Sequence, residues 1–121
     1  MVEGPTAKAY ALKIEKVFKD EVVNEVFVRS KRVFIPQDEV LGRKLKRVET
    51  FGKNIVLIFN DIAIRLHLLM FGSIHIYDLN ESLLKPWQRV RLLMKGEDKK
   101  LAVYNAPIVE IDRTEKIFKK L

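Results

Sequence analysis

Apolar residues at Ala7, Tyr10, Ala11, Ile14, Val17 and Phe18 repeat at the i, i+3, i+4, i+7 spacing of one helix face, while Lys8, Lys13, Lys16 and Lys19 fall mostly off it. This predicts a helix over residues 6–19, directly behind Pro5, with its stripe turned to a core. After Asp20 the texture changes to short β-rich runs. Residues 25–30 and 43–50 read as strands, with a helical turn at 36–41 leading to Gly42. The continuously apolar run Ile55-Val56-Leu57-Ile58-Phe59 suits a central strand buried on both faces. Asn60-Asp61 supplies a two-residue hairpin turn, beyond which Ile62, Ile64, Leu66 and Leu68 alternate with Ala63, Arg65, His67 and Leu69. Gly72 breaks this pattern before Ile74 and Ile76 resume it. A polar loop at 78–86 precedes Val90, Leu92 and Met94, which alternate with Arg89, Arg91 and Leu93. A turn at Gly96-Glu97-Asp98 and runs at 101–104 and 108–111 complete the strands. The expected fold is mostly β with one amino-terminal helix, a helix-capped sandwich or barrel of about seven or eight antiparallel strands.

A chain of 121 residues supports one core, and 48% hydrophobic with 32% charged residues fits a folded domain. Lys and Arg outnumber Asp and Glu 23 to 16, a formal charge of +7, which makes a polyanion the natural partner. Nucleic acid is favoured over a membrane, because no apolar run approaches ~18 residues and no strongly amphipathic basic helix with exposed large apolar residues stands out. The absence of Cys excludes disulfides, a thiol nucleophile and a cysteine-ligated zinc site within this chain. With only His67 and His75, no metal or other cofactor is expected. No secretory signal is apparent at the amino terminus, so an intracellular location is the expectation.

The opening Met1-Val2-Glu3-Gly4-Pro5 can put an α-amine to chemical use. Once Met1 is removed, Val2 supplies an amine of pKa near ~7.7–8.0 against ~10.4 for lysine, so far more of it is neutral and able to attack carbon. Glu3 beside it could protonate the departing oxygen. An intact Met1 would silence that amine in a peptide bond.

The opening pentapeptide, the Phe51-Gly52-Lys53 turn, the string His67-Leu68-Leu69-Met70-Phe71-Gly72 and the segment Leu101-Ala102-Val103-Tyr104-Asn105-Ala106-Pro107-Ile108-Val109-Glu110 together resemble the amino-terminal domain of the formamidopyrimidine-DNA glycosylase and endonuclease VIII (Fpg/Nei) family. The resemblance spans nearly the whole chain and points to a Nei-like branch with valine at position 2. It implies base excision repair of damaged DNA, double- or single-stranded, by a bifunctional DNA glycosylase/AP lyase. In such an enzyme the terminal amine attacks C1′ of a flipped nucleotide, expels the oxidised base and leaves an imine that drives elimination of the 3′ phosphate. Carried over by motif, Val2 is the nucleophile, Glu3 the general acid, Lys53 the residue that assists elimination and contacts DNA phosphate, and Met70 the wedge that fills the gap left by the flipped base. His67 reads as structural. Arg65, Arg89 and Arg91, outward by alternation, could face phosphates.

The chain departs from the family pattern in three ways. Position 2 is usually proline, and the primary amine of Val2 shifts the expected balance from base excision toward lyase action. Position 6 is usually glutamate, whereas Thr6 has no carboxylate and suits a helix cap. By the resemblance, residues 1–121 are expected to cover the catalytic amino-terminal domain, without the helix-two-turns-helix and zinc-finger domains; the chain is then either a domain of a longer protein, whose carboxy-terminal domain would be a partner, or a stand-alone version. The alternative reading is a non-catalytic DNA- or RNA-binding module with the same fold.

Overall fold

A computed structural model describes residues 4–121. The chain begins with α1 (Gly4–Phe18) and continues through β1 (Glu25–Val28), β2 (Arg32–Val33), a 3-10 turn (Gln37–Val40), β3 (Arg47–Phe51), β4 (Asn54–Phe59), β5 (Ile62–His67) and β6 (Ser73–Asp78). A second 3-10 turn (Trp87–Arg89) leads into β7 (Val90–Lys95), followed by β8 (Lys99–Tyr104), β9 (Ile108–Arg113) and α2 (Thr114–Lys119). The strands form a four-stranded sheet in the order β1-β7-β8-β6 and a five-stranded sheet in the order β2-β9-β5-β4-β3. The expected helix-capped β-sandwich is the architecture that forms.

The core lies between the sheets and is closed along one side by α1. Ala7, Ala11, Ile14 and Phe18 from the helix meet Ile55, Leu57, Ile64 and Leu66 of the larger sheet and Leu92, Met94, Leu101 and Val103 of the smaller one. The apolar run of β4 is buried on both faces as its composition predicts. Ile55, Leu57 and Phe59 point into the main core, while Val56 and Ile58 join Ala63 and Ile117 in a second cluster beneath α2.

Several local features differ from the sequence expectation. The helix starts at Gly4, so Thr6 is not its cap but an exposed residue of its first turn. Pro5 is compatible with this start because the first N–H groups of a helix have no intrahelical partner. The segment 43–46 is not strand; Lys44 and Leu45 make isolated bridges to Val22 and Lys19, and regular pairing begins at Arg47. β2 has only two residues and pairs parallel with β9, too short to show a period and the one parallel strand pair in the described sheets. α2 is likewise too short for a helical repeat; it forms because Ile117 and Phe118 cover the outer face of the larger sheet. In β7 the register shifts between Val90 and Leu92, so Arg91 occupies a bulge. The bulge reverses the side-chain phase: Val90 packs with Tyr77 and Tyr104 on the outer face of its sheet, while Leu92 enters the main core.

Candidate nucleic-acid interface

The chain passes between the two sheets three times, through residues 29–31, 68–72 and 105–107, and all three passages lie at one end of the sandwich. The pairings Phe51↔Asn54, Asn54↔His67 and His67↔Ile108 place the β3–β4 hairpin there too. This is the near end of the sandwich, and the turns at 60–61 and 96–98 lie at the far end. The near-end hairpin loop is Gly52-Lys53, and only the first of the two has positive φ, +62° at Gly52, the conformation glycine adopts without steric cost. Lys53 therefore stands exposed at a tight, defined turn.

The amino end of α1 reaches the same place. The carboxylate of Glu15 accepts the N–H of Val48 at 3.2 Å, and Lys19 pairs with Leu45 in the opposite direction along β3. From Glu15 back to Gly4 the helix rises ~16 Å at 1.5 Å per residue, and from Val48 to Lys53 the strand advances ~16 Å at 3.3 Å per residue. Gly4 and Lys53 thus lie at the same level. Val2 and Glu3, the sequence candidates for nucleophile and general acid, lie outside the described residues.

Beyond β5 the chain makes a turn that pushes large side chains outward. Leu68 is fully buried, Leu69 takes a φ of +51°, and the N–H of Gly72 donates to the carbonyl of Leu68 at 2.9 Å. A Cβ at residue 72 would sit 2.6 Å from that carbonyl oxygen, so only glycine closes this turn without displacing backbone. The result leaves Met70 62% and Phe71 77% exposed. Sequence reasoning singles out Met70 but not Leu69 or Phe71, although three consecutive large apolar residues ahead of a glycine are the available signal.

A buried charge network braces the hairpin from behind. Glu110, fully buried on β9, accepts hydrogen bonds from Arg65 Nε at 2.8 Å and from Lys120, and ion-pairs with Arg65 Nη2 at 2.7 Å. Burial alone would raise its pKa, but the hydrogen bonds from Lys120 and Arg65 outweigh it and hold the carboxyl below the usual range. Arg65 Nη1 continues to Asn54 Oδ1 at 2.9 Å, and Asn54 Nδ2 donates to the carbonyl of Phe51 at 3.2 Å, closing the turn that carries Lys53. Arg65 is therefore not a solvent-facing phosphate ligand. Alternation placed it on the correct sheet face, but the Glu110 network and the carboxy-terminal segment engage it there.

His67, half-buried beside Asn54, is pushed below the ordinary histidine pKa by burial first, then by the charges of Arg65 and Lys53. Its Nε2 is buried without a hydrogen-bond partner among the described residues. Neutral imidazole next to a cationic hairpin is what this environment dictates. Arg89 belongs to the 3-10 turn before β7, not to the strand, and Arg91 is the bulge residue; both are exposed. The structure thus gathers Lys53, His67, Met70 and Arg91 at one end and withdraws Arg65 into a structural role. No group of three or more His, Cys, Asp or Glu side chains among the described residues could hold a metal ion. No helix among them is long and apolar enough to cross a membrane.

Comparison with known proteins places this geometry in a family. Residues 1–107 match the family model of the formamidopyrimidine-DNA glycosylase N-terminal domain. Endonuclease 8 of Escherichia coli (strain 55989 / EAEC) is 25% identical over 118 residues, covering 97% of this chain and 44% of that protein. Endonuclease 8 of Shigella dysenteriae serotype 1 matches to the same extent. The fold is similar to that of wild-type Lactococcus lactis Fpg (MutM) in a complex with DNA containing N7-benzyl-Fapy-dG, with a TM-score of 0.83, 18% identity, and coverage of 98% of this chain and 46% of that one. MutM in complex with DNA containing carbocyclic 8-oxo-G gives a TM-score of 0.81 at 17% identity, over 98% of this chain and 47% of that one. The chain spans less than half the length of these relatives.

Proposed function

The chain belongs to the formamidopyrimidine-DNA glycosylase N-terminal domain family, and on that premise we propose that it is the catalytic half of a Nei-like DNA glycosylase/AP lyase that acts on oxidised bases and abasic sites. The observation that carries this reading is the meeting of Lys53, the amino end of α1 and the exposed 69–71 turn at one end of the sandwich.

In this reading the neutral amine of Val2, freed by removal of Met1, attacks C1′ of an extruded nucleotide as the bond to the damaged base breaks. Glu3 protonates the sugar oxygen as the ring opens to the imine. At an abasic site the same amine condenses with the aldehyde and water leaves. The imine then acts as an electron sink: a proton is lost from C2′, and the electrons expel the 3′ phosphate as an anion. Lys53, a point charge on a rigid turn, stabilises that leaving phosphate. Met70 fills the space left in the duplex by the extruded nucleotide, with Leu69 and Phe71 beside it, an exchange of stacking for apolar contact that demands no hydrogen bonds.

Sodium borohydride reduction in the presence of DNA containing an abasic site tests the proposal. The demethionylated chain is expected to become covalently joined to the DNA, and protein whose α-amine is acetylated is not. Failure of the demethionylated chain to form the adduct while it still binds the DNA would select the non-catalytic module, a reading to which Thr6 in place of the family's glutamate lends support.

A further inference from the structure

A groove of about 620 Å³ opens at the near end between the two sheets, bounded by Arg29, Ser30, Lys31, Arg32 and Arg91 with Ala106, Pro107 and Val109. We infer that it is a second phosphodiester-binding site, engaging the backbone of the same nucleic acid several nucleotides from the phosphate at Lys53. This rests on the nucleic-acid reading above and joins Arg91, which alternation turns outward, to residues 29–32, which neither motif nor alternation picks out.

The groove is built, not a chance meeting of surface side chains. Ser30 Oγ donates to the carbonyl of Val109 and accepts the N–H of Arg32 at 3.0 Å, which ties the 29–32 passage to the start of β9. The N–H of Arg29 bonds the carbonyl of Arg91 at 2.8 Å, joining the passage to the β7 bulge. Arg29 is held further by the carbonyls of Trp87 and Gln88, at 3.3 and 2.7 Å, with its guanidinium over the rings of Phe27 and Trp87. Lys31, Arg32 and Arg91 are exposed.

Charge identifies the ligand. Among the described residues, none of Arg29, Lys31, Arg32 and Arg91 has a carboxylate within ion-pairing distance, whereas seven ion pairs form elsewhere. Glu110, opposite Arg32 in the β2–β9 register, is already taken by Arg65 and Lys120. Four clustered cations without counter-charge repel one another, and an extended anion relieves that repulsion. Counting strand spacings of ~4.8 Å from β4 through β5 and β9 to β2 puts the groove ~15 Å from the Lys53 hairpin. At a rise of ~3.4 Å per nucleotide of one strand, that corresponds to about four steps along a duplex, so one nucleic acid can reach both sites.

The test is the salt dependence of binding of the 121-residue chain to duplex DNA carrying an abasic site, read by fluorescence anisotropy. Replacing Lys31, Arg32 and Arg91 together by Gln should flatten the log–log slope by about 2 to 3, at ~0.9 for each phosphate no longer neutralised. Replacing Lys44, Lys46 and Lys116 by Gln removes the same net charge at the opposite end and should leave the slope within about 0.5 of wild type. Equal flattening by both triple variants, or none by the first, would overturn the groove while leaving the Lys53 site intact. The single variant Lys53→Gln tests that site separately, with flattening of ~0.9 expected. A wild-type chain that binds no DNA would overturn both.

Discussion

At the far end of the sandwich the turns at 60–61 and 96–98 carry Asp61, Glu97 and Asp98, and several of the basic side chains there find acidic partners, while Lys44, Lys46 and Lys116 have none among the described residues. Arg43 and Arg113 meet Asp61, Lys95 meets Glu25 at 3.1 Å, and Lys99 meets Asp78. At the near end the connections 29–31, 52–53, 68–72 and 105–107 contain no Asp or Glu, and their cations are not ion-paired among the described residues. Exposed ion pairs contribute little to stability, ~0 to 1 kcal/mol each, so the far end is no better fastened for having them. What differs is the field. The turns of one end supply acids that pair with part of its basic side chains, whereas the turns of the other hold cations and no acid, with the exposed apolar residues Met70 and Phe71 among them.

The largest effect expected from breaking this contrast comes from the one charge cluster that serves structure. Arg65→Ala would leave the buried carboxylate of Glu110 with Lys120 alone and should cost about 3 kcal/mol, measured as a lower urea midpoint. Arg65→Lys should recover only part of that loss, since an ammonium cannot span Glu110 and Asn54 together. Gly72→Ala forces a Cβ against the Leu68 carbonyl and is expected to cost about 2 kcal/mol while displacing the 69–71 turn, visible in the amide shifts of that loop. Met70→Ala and Phe71→Ala, both at exposed positions, should each change stability by less than about 0.5 kcal/mol yet weaken binding to abasic-site duplex.

A pH effect follows from the two histidines. Burial first, with nearby Arg65 and Lys53 for His67 and Lys85 and Lys13 for His75, lowers both pKa values in the folded chain below 6.5. The unfolded chain therefore takes up protons first as the pH falls. Their contribution is complete above pH 6.5 and is lost progressively as pH drops from there through the folded values. Urea midpoints that decline over that window in wild type, and decline less in the His67→Gln/His75→Gln double variant, would check this. The smallest effect on stability belongs to Lys53→Ala, within about 0.5 kcal/mol, alongside a clear loss of borohydride-trapped adduct.

Much of this was legible in the chain. The stripe of α1, the doubly buried β4 and the two-residue hairpins at 52–53 and 60–61 depend on local periodicity and turn chemistry, which sequence records directly. The fate of Arg65 did not, because alternation tells which face a side chain takes but not what covers that face; α2 and Glu110 arrive from about 50 residues later in the chain. The phase reversal at Val90 escaped for a related reason, since an inserted bulge residue looks like any other member of an alternating run. Lys31 and Arg32 were unremarkable in a chain of 23 basic residues until folding set them beside Arg91, with Glu110, the acid opposite Arg32, already engaged by Arg65 and Lys120. Lys53 stands out because a glycine turn is specific. The roles of Val2 and Glu3 rest on the family resemblance and the position of α1.

The contrast between the ends is tested most directly by amide chemical-shift mapping during titration with abasic-site duplex DNA. Shifts are expected to concentrate at residues 29–32, 52–54, 67–72, 91 and 105–108, with residues 60–61 and 96–98 unmoved, as the contrast requires. Shifts centred on the far-end turns, or spread evenly over the basic surface, would contradict it.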